Sequence, residues 1–303
     1  MKGKMKSIGA VLGYLALYGI AQIGIWMIVQ VVAIGQLVKD MGQEAYLELL
    51  SDSELLVETL MESIQGSTAY VLLAINVSVI GLVWLIAKCK KEKLREKIEL
   101  KKISGSLIGL GILLAVGMYT FDLGLVEVLG RTNGFRNAYM QLENAFKFTE
   151  YTPFIVNILI TGMIAPFAEE VLFRGVVYQA LKKHFHIGTV IGVQALLFGL
   201  AHINSLQIVY ATLMGVLCGY MVYRTKSLWG GVVIHIANNT ISCILSVLHI
   251  GESGINVPVI ILLLLIGMSI VTVGIIKLRK ATNLVDIQGE IQDGVEEEIQ
   301  HIN

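Results

Sequence analysis

Charge is what this sequence has least of. Only 15% of its 303 residues are Asp, Glu, Lys or Arg, where a soluble domain carries about 25%. The 23 basic and 23 acidic residues cancel, so no net field points to a nucleic-acid partner. Cysteine is scarce too. Cys89, Cys218 and Cys243 form no CxxC pair, which leaves no readable disulfide framework or thiolate zinc site. Proline occurs three times, so few points along the chain are barred from a helix. HExxH, the compact zinc-protease spacing, is absent. An aspartate-type membrane protease is disfavoured as well, since there is no GxGD and Asp122 has no second acid beside it.

What fills the chain is apolar. Hydrophobic residues make up 55% and the mean hydropathy is +0.73. Runs of about 20 apolar residues are the length a bilayer demands, and the sequence predicts an all-α, polytopic membrane bundle of about eight spans. They fall near 8–38, 68–87, 103–121, 152–182, 187–203, 206–223, 228–248 and 257–276. The first run is too long for a signal peptide's apolar core and reads as a retained span. The acidic stretch from Asp40 to Glu62 reads as surface helix. Phe135, Tyr139, Leu142 and Phe146 recur at helical spacing and predict a short interfacial helix. The loop from Lys88 to Lys102 is the most basic. By the positive-inside rule it faces the cytoplasm, which puts both termini there in a plasma-membrane protein. The sequence divides into N-terminal helices (1–150), a core (151–280) and an acidic cytoplasmic tail (281–303).

Three short patterns interrupt the lipid-like runs. Glu169, Glu170 and Arg174 lie in Ala168-Glu-Glu-Val-Leu-Phe-Arg-Gly175, flanked by apolar sequence on both sides. Charge at bilayer depth costs several kcal/mol by most scales and marks function or tight pairing. Glu170 and Arg174 share a helix face and can neutralise each other. Glu169 points about 100° away on the helical wheel and needs partners from elsewhere. Phe198-Gly-Leu-Ala-His202 and His235-Ile-Ala-Asn-Asn239 supply candidates, each placed by the sequence in a further apolar helix. The span bearing Glu169 is long, with Pro166 inside it, and predicts tilt or a kink there.

EExxxR, FxxxH and HxxxN, in this order, resemble the CPBP family. These are the CAAX-processing and bacteriocin-immunity intramembrane proteases, including the type II CAAX prenyl endopeptidases. The resemblance covers 169–239 and nothing in the first half of the chain. It implies that Glu169 and His202 activate a water, that His235 and Asn239 hold the oxyanion of the tetrahedral intermediate, and that Glu170–Arg174 is a supporting ion pair. It implies a membrane-associated protein or peptide as substrate, prenylated proteins among the candidates, with the bilayer as the other partner. No cofactor is required in this reading. The alternative is Zn²⁺ on Glu169, His202 and His235, a ligand set with an open position. Two non-proteolytic readings stand beside these: a bacteriocin self-immunity or scaffold protein of the same fold, and a transporter using the polar cluster as an ion site.

Overall fold

In a computed structural model of the protein, residues 2–146, 151–247 and 255–302 are described, with side chains as far as Asn283 except those of Met61, Ala145, Phe146 and Val247. Among the described residues every regular element is a helix. They are α1 (Lys2–Met41), α2 (Gln43–Leu49), α3 (Ser53–Gln65), α4 (Thr68–Cys89), α5 (Leu94–Lys97), α6 (Gly105–Gly130) and α7 (Arg136–Phe146). Then come α8 (Phe154–Asn157), α9 (Ala165–Glu170), α10 (Tyr178–Lys182), α11 (Ile187–Leu200), α12 (Ser205–Thr225), α13 (Leu228–Val247) and α14 (Val257–Ile302). Helices α8 to α10 are joined by two π-helical segments, Ile158–Ile164 and Val171–Val177. They form one run, Phe154–Lys182, hereafter the site helix.

The chain is a polytopic helical membrane bundle. Among the described residues seven helices are long and apolar enough to cross a bilayer. The expected fifth span is the exception. Its helix, α11, has 14 residues and reaches about 21 Å at 1.5 Å per residue, short of the ~30 Å hydrocarbon core. The acidic stretch forms two helices, α2 and α3, rather than one, because Asp52 caps a new start by accepting from Glu54 N and Leu55 N. The end of the seventh expected span and the Phe146 side chain lie outside the described residues. Asp122, expected at an interface, is buried, since α6 runs past it to Gly130.

Lipid gives helices no hydrophobic reason to associate, so close packing and polar contacts decide the arrangement. Helix α14 lies along α6 where glycines meet. A β-carbon on Gly267 would stand 2.7 Å from Gly117 O and Phe121 Cα. Helix α11 lies along α12 in the same way, with Gly215 against the backbone of Ala195. Glu99 ties the basic end together. Its carboxylate accepts from Gln179 Nε2 (2.9 Å) and Lys182 Nζ (3.2 Å), and its carbonyl accepts from Leu228 N (3.0 Å). In the same loop a 2.7 Å bond from Lys97 holds the Glu92 carboxyl below its ordinary range.

The site helix departs from regular winding where Pro166 has no N–H to give. In the π segment before it, Ala165 N reaches back five residues to Ile160 O. The next acceptor in that register, Thr161 O, has no backbone donor from Pro166. Helix α13 supplies one: Asn239 Nδ2 donates to Thr161 O at 3.2 Å. Beside it Thr240 Oγ1 donates to Gly162 O at 3.4 Å. The irregularity expected at Pro166 therefore takes the form of π winding, docked on α13 by its freed carbonyls.

Candidate active site

Glu169 and Glu170 end α9 and enter the second π segment. They are adjacent in sequence and opposite in surroundings. Glu170 is sealed: its side chain and that of Arg174 are 0% exposed. Glu170 Oε1 forms an ion pair with Arg174 Nη1 at 2.8 Å and accepts from His235 Nδ1 at 2.9 Å. Arg174 in turn donates Nη2 to Gly215 O (3.2 Å) and lies over the Phe198 ring at 4.5 Å. Gln194 Nε2 shares that carbonyl at 2.8 Å. Room for the carboxylate comes from Gly231, where a β-carbon would collide with Glu170 Oε2.

Glu169 is the accessible carboxylate. Its side chain is 22% exposed, and its Oε2 lies 3.6 Å from His235 Nε2. His235 thus bridges the pair, one ring nitrogen toward each acid. The predicted ion pair of Glu170 and Arg174 is present, but Glu170 also orients His235, a contact the sequence reading did not contain. A helical wheel separates the two acids; a planar imidazole from α13 spans that separation.

Phe198 is the centre about which the rest is arranged. Its ring meets Phe173, His202 and His235 edge-on, at centroid distances of 5.2, 4.9 and 5.4 Å. Because α11 stops at Leu200, His202 sits in the turn beyond it rather than inside a span. Ile203 takes a positive φ of 65°, and Asn204 starts α12 by accepting from Leu206 N and Gln207 N. There the His202 ring packs edge-on against Phe198. Its Nδ1 lies 2.9 Å from Phe198 O, which fixes the hydrogen on Nδ1 and leaves Nε2 as the acceptor.

Asn239 lies one turn along α13 from His235, with one amide hydrogen committed to Thr161 O. Thr161 itself donates to Asn157 and contacts Cys243 Sγ at 3.2 Å. Among the described residues no three His, Cys, Asp or Glu side chains are grouped to hold a metal ion. Glu169 and His235 approach to 3.6 Å, and His202 is not grouped with them. Three contributors were not read from sequence: Gln194, Phe198 as a packing centre, and Tyr18 of α1. Tyr18 accepts from Gln22 Nε2 at 2.7 Å and packs against the apolar cluster that holds Leu172, Phe173 and Phe198. Isolated polar residues in apolar helices were the available signal for Gln194 and Tyr18.

Residues 151–241 match the family described as "Type II CAAX prenyl endopeptidase Rce1-like". This segment holds all six predicted site residues and agrees with the resemblance carried by the three motifs. Over 85 residues the chain is 28% identical to a Bacillus subtilis (strain 168) protein named "Putative membrane peptidase YdiL". That stretch is 27% of this chain and 34% of the relative, so the chain spans about a third of the length of the curated relative it matches. No solved structure matches it.

Proposed function

We propose that the protein is an intramembrane endopeptidase in which Glu169 activates water without a metal. The observation that carries this reading is the contrast between the acids: Glu169 is within reach of water beside His235, whereas Glu170 is sealed with Arg174. Glu169 takes a proton from water, which His202 Nε2 orients through its second hydrogen. The water oxygen bonds to the scissile carbonyl carbon. His235, oriented through Nδ1 by Glu170, donates from Nε2 toward the developing oxyanion. The uncommitted amide hydrogen of Asn239 is the second donor. Collapse breaks the C–N bond, and Glu169 returns its proton to the leaving amine. Donors fixed in place before charge develops are what such a step requires.

The substrate class is a membrane-associated protein or peptide. The description of the matched family makes a prenylated CaaX protein the first substrate to try. The basic loops orient both termini to the cytoplasm of a plasma-membrane protein.

The test is a cleavage assay on purified protein in lipid, using a prenylated CaaX peptide and an unmodified membrane peptide. Wild type should cut at least one, Glu169→Ala neither, and chelator-stripped enzyme should keep its rate. Activity lost on stripping and restored by Zn²⁺ would overturn the metal-free mechanism. No cleavage of any membrane peptide by wild type would favour the scaffold or immunity reading.

A further inference from the structure

A second site lies outside the catalytic layer. Helix α14 packs on α6, α12 packs on α11, and α12 and α14 barely touch each other. The gap between the two pairs is a cavity of about 430 Å³, within the size range of ligand sites. Its walls are apolar, with Met118 and Leu217 at the back and Leu213, Val216 and Met268 exposed along its open side. From Met268 to Arg279 it follows α14 for ~16 Å, a mean cross-section of ~26 Å², room for one extended alkyl chain.

The two ends differ. Arg279 and Tyr220 stand at the basic end. Tyr220 Oη accepts from Arg279 Nε at 2.9 Å, which aims the guanidinium across the opening. Among the described residues neither Nη of Arg279 has a hydrogen-bond partner. Arg224, by contrast, is committed to closing that end: its Nε donates to Thr282 Oγ1 (2.8 Å) and its Nη2 to Arg279 O (3.3 Å). A one-chain apolar slot ending at an arginine matches a lipid whose phosphate lies at the membrane surface, where basic pockets between spans bind anionic headgroups.

We propose that this groove binds one acyl chain of an anionic phospholipid, with the phosphate on Arg279. The bound chain occupies the space that separates α12 from α14, behind the Gly215 carbonyl that holds Arg174.

The full chain, delipidated in detergent, would be titrated with phosphatidylglycerol and with phosphatidylcholine of the same chains. Native mass spectrometry reads occupancy and thermal melting reads stability. Phosphatidylglycerol should bind more tightly and raise the melting temperature more. Arg279→Gln should reduce that preference about fivefold, without loss of fold at so exposed a position. Val216→Trp, which fills the slot, should abolish occupancy, whereas Ile23→Trp on the lipid-facing side of α1 should leave it intact. Equal binding of both lipids, or unchanged occupancy in Val216→Trp, would overturn the proposal. Displacement of the phospholipid by a farnesylated peptide would also overturn it, by assigning the groove to substrate. None of these outcomes depends on peptide cleavage.

Discussion

Helix α1 and the site helix are both long and apolar enough to span a bilayer, yet 6% of the most apolar stretch of α1 is buried against 44% for the site helix. The difference shows what organises a protein in lipid. Apolar side chains are equally content against tails or neighbours, so hydropathy alone does not gather helices. The site helix is enclosed because it carries charges that must be partnered and carbonyls that Pro166 leaves open. Helix α1 carries neither along most of its length. It turns Ile20, Ile23, Met27 and Val31 outward and packs Tyr18 against the apolar core.

Substitutions can break this contrast, beginning where burial is most complete. Glu170→Gln or Arg174→Ala strands a sealed charge, and removing one partner of a buried pair costs about 3–5 kcal/mol. Melting in detergent should therefore fall sharply for both. An unchanged melting temperature would show that the pair does not hold the site helix in place. Next in size, Asn239→Ala removes an oxyanion donor and should lower kcat about 10²–10³-fold with little change in KM. A KM effect alone would assign Asn239 to ground-state binding.

Pro166→Ala sharpens the comparison from the backbone side. The restored N–H competes with Asn239 for Thr161 O and lets the side chain drift. Misplacement by ~1 Å can cost up to about 10²-fold in rate, so kcat should fall while stability holds. Unchanged kcat would mean that the Thr161 contact does not position Asn239. The smallest effect belongs to α1: Ile23→Leu and Val31→Leu should each shift stability by no more than about 0.5 kcal/mol. A larger loss would show that this face is not simply lipid-facing.

The spans were legible because lipid forces long apolar runs, and most ends fall within a few residues of those expected. The stop of α11 at Leu200, before His202, was not. Phe198 to Ile203 stays mostly apolar, and the stop is made by Ile203 entering positive φ and Asn204 capping the following helix. No proline marks it. All six candidate residues stand out in the sequence as polar groups inside apolar runs. What remained hidden was how they share partners. A 3.6-residue wheel places Glu169 and Glu170 on different faces; it carries no information about a histidine from another helix reaching both. The exposure difference between the two acids is likewise a property of packing, not of the dipeptide.

That difference yields the most direct measurement. Glu169→Gln keeps the volume and removes the proton acceptor, and general-base catalysis contributes roughly 10²–10⁴-fold. Cleavage rate and melting temperature should be recorded together for Glu169→Gln and Glu170→Gln. The expected result is wild-type melting with turnover lost by that factor in Glu169→Gln, and lowered melting in Glu170→Gln. Glu169→Gln retaining more than about a tenth of the wild-type rate, or Glu170→Gln melting normally while wholly inactive, would contradict it.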